Sequence, residues 1–425
     1  MQLLRLSFKN KPRKFLFLIT MWIGIVLFFL LGLTSHGAHV LSSLHNDIND
    51  TFMDFFNSIQ YERHPYEAKV IYPPLANAFY YLIHALIPND VFLQGTVAMR
   101  DSQIGRMIII LYTIVTMFLL YFAITKLDKK SSPNMQMLFF FTILFSAPML
   151  FTLERANLII VALIFMIFFC TYYKSDEKIL RHFSFLSLAI AASIKIYPAI
   201  LGLLLIRDKR WKDTIICIIY GILLFFTPFS LFGGLKGFTL MISNIVNCGS
   251  EMLANGEGWK LSILSICNYF SVWFTGTTGS YNALATLLKI TCVLGGCLIL
   301  LFVEFDEEWK LYMVPMLIMV LFPDFSFIYS GIFFIIPLLY YLNMDKPFKK
   351  IDTIYIILFL LIMLPLGEKN LDIFMPFRHD YYPLNLSTFI ESLACLTFML
   401  LIWADGFIHL FRSFISKLFY HKKDI

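Results

Sequence analysis

Residues 181–207 read RHFSFLSLAIAASIKIYPAILGLLLIR. The apolar part, Phe183 to Ile206, has the length of one bilayer crossing, which takes about 20 residues. Basic clusters flank both of its ends, however: Arg181 with His182 on one side, and Arg207, Lys209, Arg210 and Lys212 on the other. A single crossing strands one cluster outside, against the preference of Lys and Arg for the cytoplasmic face. Two half-spans meeting at Lys195-Ile196-Tyr197-Pro198 keep both inside. Pro198 has no amide proton and disfavours helix at Tyr197, so it supplies the reversal. Half-spans of about 12 residues rise only about 18 Å. Lys195 is therefore expected part-way down a vestibule that opens outward.

Composition carries the reading to the whole chain. Of 425 residues, 59% are hydrophobic and 15% charged, against about 45–50% and 25% in a soluble domain. Apolar runs recur from Phe15 to Trp403 and leave no stretch of soluble-domain size. The net charge of +6 does not point to nucleic acid, because the basic residues gather at the ends of apolar runs. Anionic headgroups of the bilayer suffice as their partners. The first run, Phe15 to Leu33, follows Arg5, Lys9, Lys11, Arg13 and Lys14. It is too long for a signal-peptide core and reads as a retained anchor with the N-terminus in the cytoplasm.

The fold expected is an all-α polytopic membrane protein forming one transmembrane domain over 1–425. About twelve crossings are laid out, with both termini cytoplasmic. A first outer loop over 35–104 belongs to a module spanning 1–232; a second outer loop covers 233–280, and further crossings fill 281–425. Leu311 to Phe322 and Ile328 to Leu342 form a second short hairpin with Asp324-Phe325-Ser326 at its tip. The segment Trp259 to Phe274 is read as lying on the outer surface. If it spans instead, the Lys195 run crosses once.

The first outer loop holds the strongest chemistry. Asp54 stands among Phe52, Met53, Phe55 and Phe56. An acid there is either poorly solvated or aimed into a polar cavity, and both suit a general base. The structural alternative is an Asp capping a surface helix. Asp47, Asp50 and Glu67 read as solvated. Tyr72 to Ala85 opens with Pro73-Pro74, then runs apolar with Asn77 and His84 as polar points, like an interfacial helix. Arg155 and Lys195 are cations at outer membrane depth, where each needs a cavity or a partner. Turned to one cavity they form an anion site suited to phosphate; the alternative is an internal salt bridge such as Lys195 with Glu154. Tyr197 accompanies Lys195, and Asn57, His64, Tyr66, Tyr72, Asn157, Asp324, Tyr329, Arg378 and His379 are candidates for the walls. No nucleotide-binding loop or metal-ligand spacing is present. No cofactor or metal site is expected, with a divalent ion left open.

An Asp54-Phe55 pair in an outer loop after an N-terminal crossing, then Pro65-Tyr66, Tyr72-Pro73-Pro74-Leu75, Arg155-Ala156-Asn157 and Lys195-Ile196-Tyr197-Pro198, resembles the GT-C membrane glycosyltransferases. Among them the order is closest to glycosyltransferase family 87, the polyprenol-phosphate-mannose-dependent mannosyltransferases, over roughly Phe15 to Lys212. The resemblance implies inverting transfer of a sugar, mannose above all, from a polyprenyl-phosphate donor to a lipid-linked or cell-surface glycan acceptor. That reaction takes place on the extracytoplasmic side of a bacterial plasma membrane. It implies Asp54 as the base and Lys195 beside the donor phosphate. The chain departs in Glu154-Arg155-Ala156-Asn157, where a glycine is common, and in its C-terminal half. Two other readings stay open: a transporter or flippase of a lipid-linked saccharide, and a surface-polysaccharide polymerase or ligase.

Overall fold

The structure, a computed structural model, describes residues 11–37, 40, 50–252, 259–277, 279–365 and 385–420. Among them the chain is mostly helical and forms no strand; Lys260 and Phe327 make an isolated bridge. Five helices are long and apolar enough to cross a bilayer: Pro12–Thr34, Gln103–Leu127, Trp211–Leu231, Asn282–Phe302 and Leu386–Arg412. A sixth span is broken, with Pro133–Leu144 and Ala147–Arg155 meeting at 66°. Ser146 is N-cap of the second half and Pro148 stands in its first turn, where a missing amide proton costs nothing. The chain is a multi-pass membrane protein. Isoleucines and leucines on the outer faces of the long helices are exposed, such as Ile110 and Ile114, as lipid contact requires.

The run that opened the sequence reading does reverse. Helix Lys178–Ile194 ends at Lys195, and a 3-10 turn, Tyr197–Gly202, leads into Leu203–Arg207. The position of a Cβ on Gly202 lies 3.9 Å from Leu188, a residue that a continuous helix would leave about 21 Å behind. The two ends meet: Lys174 pairs with Asp208 at 3.1 Å, and Arg210 donates to the Tyr173 carbonyl. The second hairpin closes likewise. Tyr312 of Glu308–Leu321 stacks on Tyr340 of Ile328–Leu342 with ring centroids 4.3 Å apart.

The basic blocks gather at one end of the molecule. Arg13 and Lys14 are 3% and 2% exposed, which a cation tolerates only with an anionic partner. Arg13 meets Asp352 at 2.7 Å and donates to the carbonyls of Lys346 and Pro347. Lys14 meets Asp128 at 3.0 Å, and Asn343 donates to the same carboxylate. Lys346 reaches the Asp306 carbonyl, and Arg207 reaches that of Val303. Helices Ile159–Tyr172 and Lys178–Ile194 run between this end and the turns at Asn157 and Lys195, so those turns stand at the opposite end.

There the first loop is a folded cap. It contains helices Met53–Gln60, Pro74–His84, Asn89–Phe92 and Thr96–Asp101. Pro74–His84 turns Ala76, Asn77, Tyr80 and His84 inward while Tyr81 and Leu82 stay exposed. Its polar points are therefore internal, where the interfacial reading had left them unassigned. Helix Gly234–Met252 of the second loop packs on the first, with Asn244 donating to the carbonyls of Tyr66 and Val70. Ile263–Thr275 has 13 residues, about 20 Å of helix against a hydrocarbon core of about 30 Å.

Candidate active site

The site forms where the turn after Ala147–Arg155 meets the first helix of the cap. Ala156 adopts the left-handed region at φ 48°, and the Asn157 amide donates back to the Thr152 carbonyl. That closure ends one helix and starts the next within three residues. It also delivers Arg155 and Asn157 to one carboxylate. Arg155 Nε and Nη2 lie 3.0 and 2.6 Å from Asp54 Oδ1, and Asn157 Nδ2 lies 2.7 Å from Oδ2. The Asn157 amide is held the right way round because its Oδ1 accepts from the Ile159 amide at 3.0 Å. Its Nδ2 also reaches the Tyr72 hydroxyl at 3.3 Å. Burial, then the nearby Asp54 carboxylate, pushes that phenol up from its ordinary value of 10.0, so Tyr72 stays a neutral hydroxyl.

Asp54 does not cap its helix: the N-cap is Phe52, in the left-handed region at φ 63°, with no capping side chain. The carboxylate is 18% exposed and the Arg155 side chain 14%. Asp54 is therefore mostly enclosed and held by polar partners, Arg155 and Asn157.

Lys195 stands on the other flank. It is buried, with Nζ 4.1 Å from the centre of the Tyr72 ring and 5.8 Å from that of Tyr329. No hydrogen bond or ion pair from its Nζ is found among the described residues, Glu154 included, and the carboxylate whose charge it feels is that of Asp54. Cation–π contact alone leaves a desolvated ammonium short of an anion. Tyr329 continues into an aromatic wall: Phe151 lies 5.9 Å from it, and Trp259 stacks on Phe151 at 5.4 Å. Tyr197 packs on Phe333 at 5.8 Å, next to Lys195.

Arg155, expected beside donor phosphate, has its guanidinium on two carboxylates: Nη1 meets Asp50 Oδ2 at 2.7 Å, alongside the two bonds to Asp54. Asp50, read as solvated, is the outer half of that clamp. Asn57 lies one turn beyond Asp54, half-buried. His64 is 76% exposed and faces Glu67 at 3.9 Å, away from the site. Tyr66 is buried against Phe229 and Phe232 and joins the two loops. Asp324 pairs with Lys289 at 2.5 Å. Arg378 and His379 lie outside the described residues.

Sequence reading missed Trp259, whose signal was a lone tryptophan after Gly256-Glu257-Gly258. It also missed the buried pair of Glu62 with His84, whose imidazole stacks on Phe92 at 4.1 Å. The model of glycosyltransferase family 87 matches residues 71–323, a stretch that holds Tyr72, Arg155, Asn157, Lys195 and Trp259 and begins after Asp54. No curated protein and no solved structure matches the chain.

Proposed function

The chain belongs to glycosyltransferase family 87, and from there we propose that it transfers a sugar, mannose above all, from a polyprenyl-phosphate donor to a lipid-linked or surface glycan acceptor, with inversion at the anomeric carbon. The observation that carries the reading is a buried Lys195 ammonium with no hydrogen bond or ion pair among the described residues, near an Asp54 carboxylate held by Arg155 and Asn157. The acceptor hydroxyl gives its proton to Asp54 as its oxygen bonds to the anomeric carbon. The bond from that carbon to the phosphate oxygen breaks, and the polyprenyl phosphate departs with the electron pair. Lys195 balances the charge gathered on the leaving phosphate, and preorganisation of such a cation lowers the barrier. Trp259, Phe151 and Tyr329 offer the apolar faces against which a sugar ring packs.

The site belongs to the extracytoplasmic side of a bacterial plasma membrane in this reading. The basic end faces the cytoplasm with both termini, and shorter helices such as Ile159–Tyr172 complete about twelve crossings beside the long ones. No metal or cofactor is needed for the chemistry described. The test is transfer from polyprenyl-phosphate-mannose by the purified chain in proteoliposomes. Asp54→Asn is expected to lower the rate about 10²- to 10⁴-fold, the usual cost of a lost general base, with donor binding intact. Glu67→Gln, a change at an exposed pair with Lys236, is expected to leave it unchanged. Near-normal transfer by Asp54→Asn refutes the assignment.

A further inference from the structure

Tyr72 is where the two halves of the site meet. Its ring centre lies 4.1 Å from Lys195 Nζ, and its hydroxyl lies 3.3 Å from the Asn157 amide that also holds Asp54. The backbone at Tyr72 therefore sets the spacing between cation and base. That backbone gets little support from its own segment. Pro73 and Pro74 follow it and carry no amide proton, and no backbone amide bonds to the Tyr72 carbonyl among the described residues. Two buried side chains take that place: the Tyr66 hydroxyl at 3.3 Å and Asn77 Nδ2 at 3.2 Å. Tyr66 and Asn77 are also within hydrogen-bonding reach of each other.

Tyr66 is in turn held from the second outer loop. Asn244, on helix Gly234–Met252, donates to the Tyr66 carbonyl at 2.8 Å and to that of Val70 at 3.3 Å. These bonds clasp a turn in which Lys69 takes the left-handed region at φ 62°. The position of a Cβ on Gly237 of the same helix lies 3.4 Å from the Tyr66 ring. The Lys236–Glu67 pair at 3.2 Å joins the same two loops, but an exposed ion pair contributes little. A tyrosine that only fills the space between two loops has no use for its hydroxyl, whereas here hydroxyl and amide converge on one carbonyl. Resting on the glycosyltransferase reading, we infer that Tyr66, Asn77 and Asn244 are positioning residues for sugar transfer. Asn244 fixes the turn from Tyr66 to Val70, Tyr66 and Asn77 fix the Tyr72 carbonyl, and Tyr72 holds Lys195 and Asn157 at the spacing the reaction uses.

The test has a kinetic arm and a spectroscopic arm, both on the full chain in nanodiscs. Tyr66→Phe removes only a hydroxyl, and Asn77→Leu keeps the shape of the side chain without its donor. Each is expected to lower kcat about fivefold, the rate equivalent of one hydrogen bond of about 1 kcal/mol. In a Tyr72→Ala background, which has no ring to place, the same two changes are expected to cost nothing further. An unchanged kcat in the single variants, or losses that multiply in the Tyr72→Ala background, overturns the positioning role. In the spectroscopic arm, lysine carries carbon-13 at Cε, and the signal of Lys195 is the one that Lys195→Arg deletes. The face of the Tyr72 ring shifts its protons upfield. Tyr66→Phe, Asn77→Leu and Asn244→Ala are each expected to give back part of that shift, and Glu67→Gln to leave it in place. A Lys195 signal that stays put in all three overturns the brace. A signal that moves as expected in a chain that transfers no sugar takes down the reaction while leaving the brace standing, so the two failures are distinguishable.

Discussion

Replacing Arg155 by alanine separates two roles open to a guanidinium in this position, binding donor phosphate and positioning the base. Arg155 gives three short bonds to carboxylate oxygens: 3.0 and 2.6 Å to Asp54 and 2.7 Å to Asp50. After Arg155→Ala, Asp54 keeps only the Asn157 bond at 2.7 Å. A charged hydrogen bond contributes about 1.5–3 kcal/mol, and bonds from one guanidinium share a single charge. The loss felt at Asp54 is then about 3 kcal/mol, or about 10²-fold in rate, which agrees with the cost of misplacing a reacting group by about 1 Å. Steady-state transfer in proteoliposomes, with kcat and donor KM resolved, is the assay. The expected result is kcat down about 10²-fold with donor KM unchanged, because the interaction lost is made to the base and not to the substrate. Arg155→Lys keeps the charge but not the fork, and its loss is expected near tenfold. A donor KM that climbs about 10²-fold with kcat intact would show Arg155 on the phosphate and refute the clamp.

The remaining expectations probe the frame around the site. Ala156 sits at φ 48°, so Ala156→Gly is expected to stabilise the chain by about 0.5–1 kcal/mol, the relief of a left-handed alanine less the entropy a glycine adds to the unfolded chain; Ala156→Val is expected to lower both thermal stability and kcat, and unchanged melting in both variants counts against the strained turn. Burial raises the Glu62 carboxyl from its ordinary 4.5, with His84 opposing. A carboxyl raised on folding holds its proton more tightly in the folded chain, so stability is greatest below 4.5 and falls as pH climbs through the raised value; melting temperatures over that window should slope downward in the wild type and flatten in Glu62→Gln, and equal slopes reject the linkage. For the reversal at Lys195, a cysteine introduced by Ile196→Cys, at a position 43% exposed, is expected to react with an impermeant thiol reagent added outside, while Lys209→Cys is not; outside labelling at 209 restores a single crossing.

Patterns within a segment were legible in the sequence, and partnerships between distant segments were not. Two basic clusters and a proline pointed to the Lys195 reversal, since Lys and Arg favour the cytoplasmic face, and the family resemblance decided it against a single crossing. Asp54 was singled out by its aromatic neighbours and by the family resemblance, and the residues alone left open whether such an acid is poorly solvated or faces something polar. Arg155 was recognised as a cation in need of a partner, but its partners lie 101 and 105 residues away. Charge alone does not say whether an anion will come from the chain or from a substrate. Asp50, in a polar run, carried no sign that it shares that guanidinium, so it was read as solvated. Glu62 and His84 are 22 residues apart across a turn, beyond the reach of helical periodicity. The break at Ser146 was written in Ser146-Ala147-Pro148, but the apolar runs on both sides hide it.

The two buried cations of the first span bear on how the chain is made. Arg13 finds Asp352 only 339 residues later in the sequence, and Lys14 shares its pocket with Asn343. At about 5–20 residues per second of synthesis, roughly 20–70 s pass between the emergence of the N-terminal helix and that of its last partner. During that interval the helix is inserted but its basic end is unfinished. A chain truncated before residue 343 leaves Arg13 without its carboxylate and Lys14 with only Asp128 and Ser131, so a quality-control protease that reads unpaired charge at the membrane surface would distinguish a complete chain from an interrupted one at this junction.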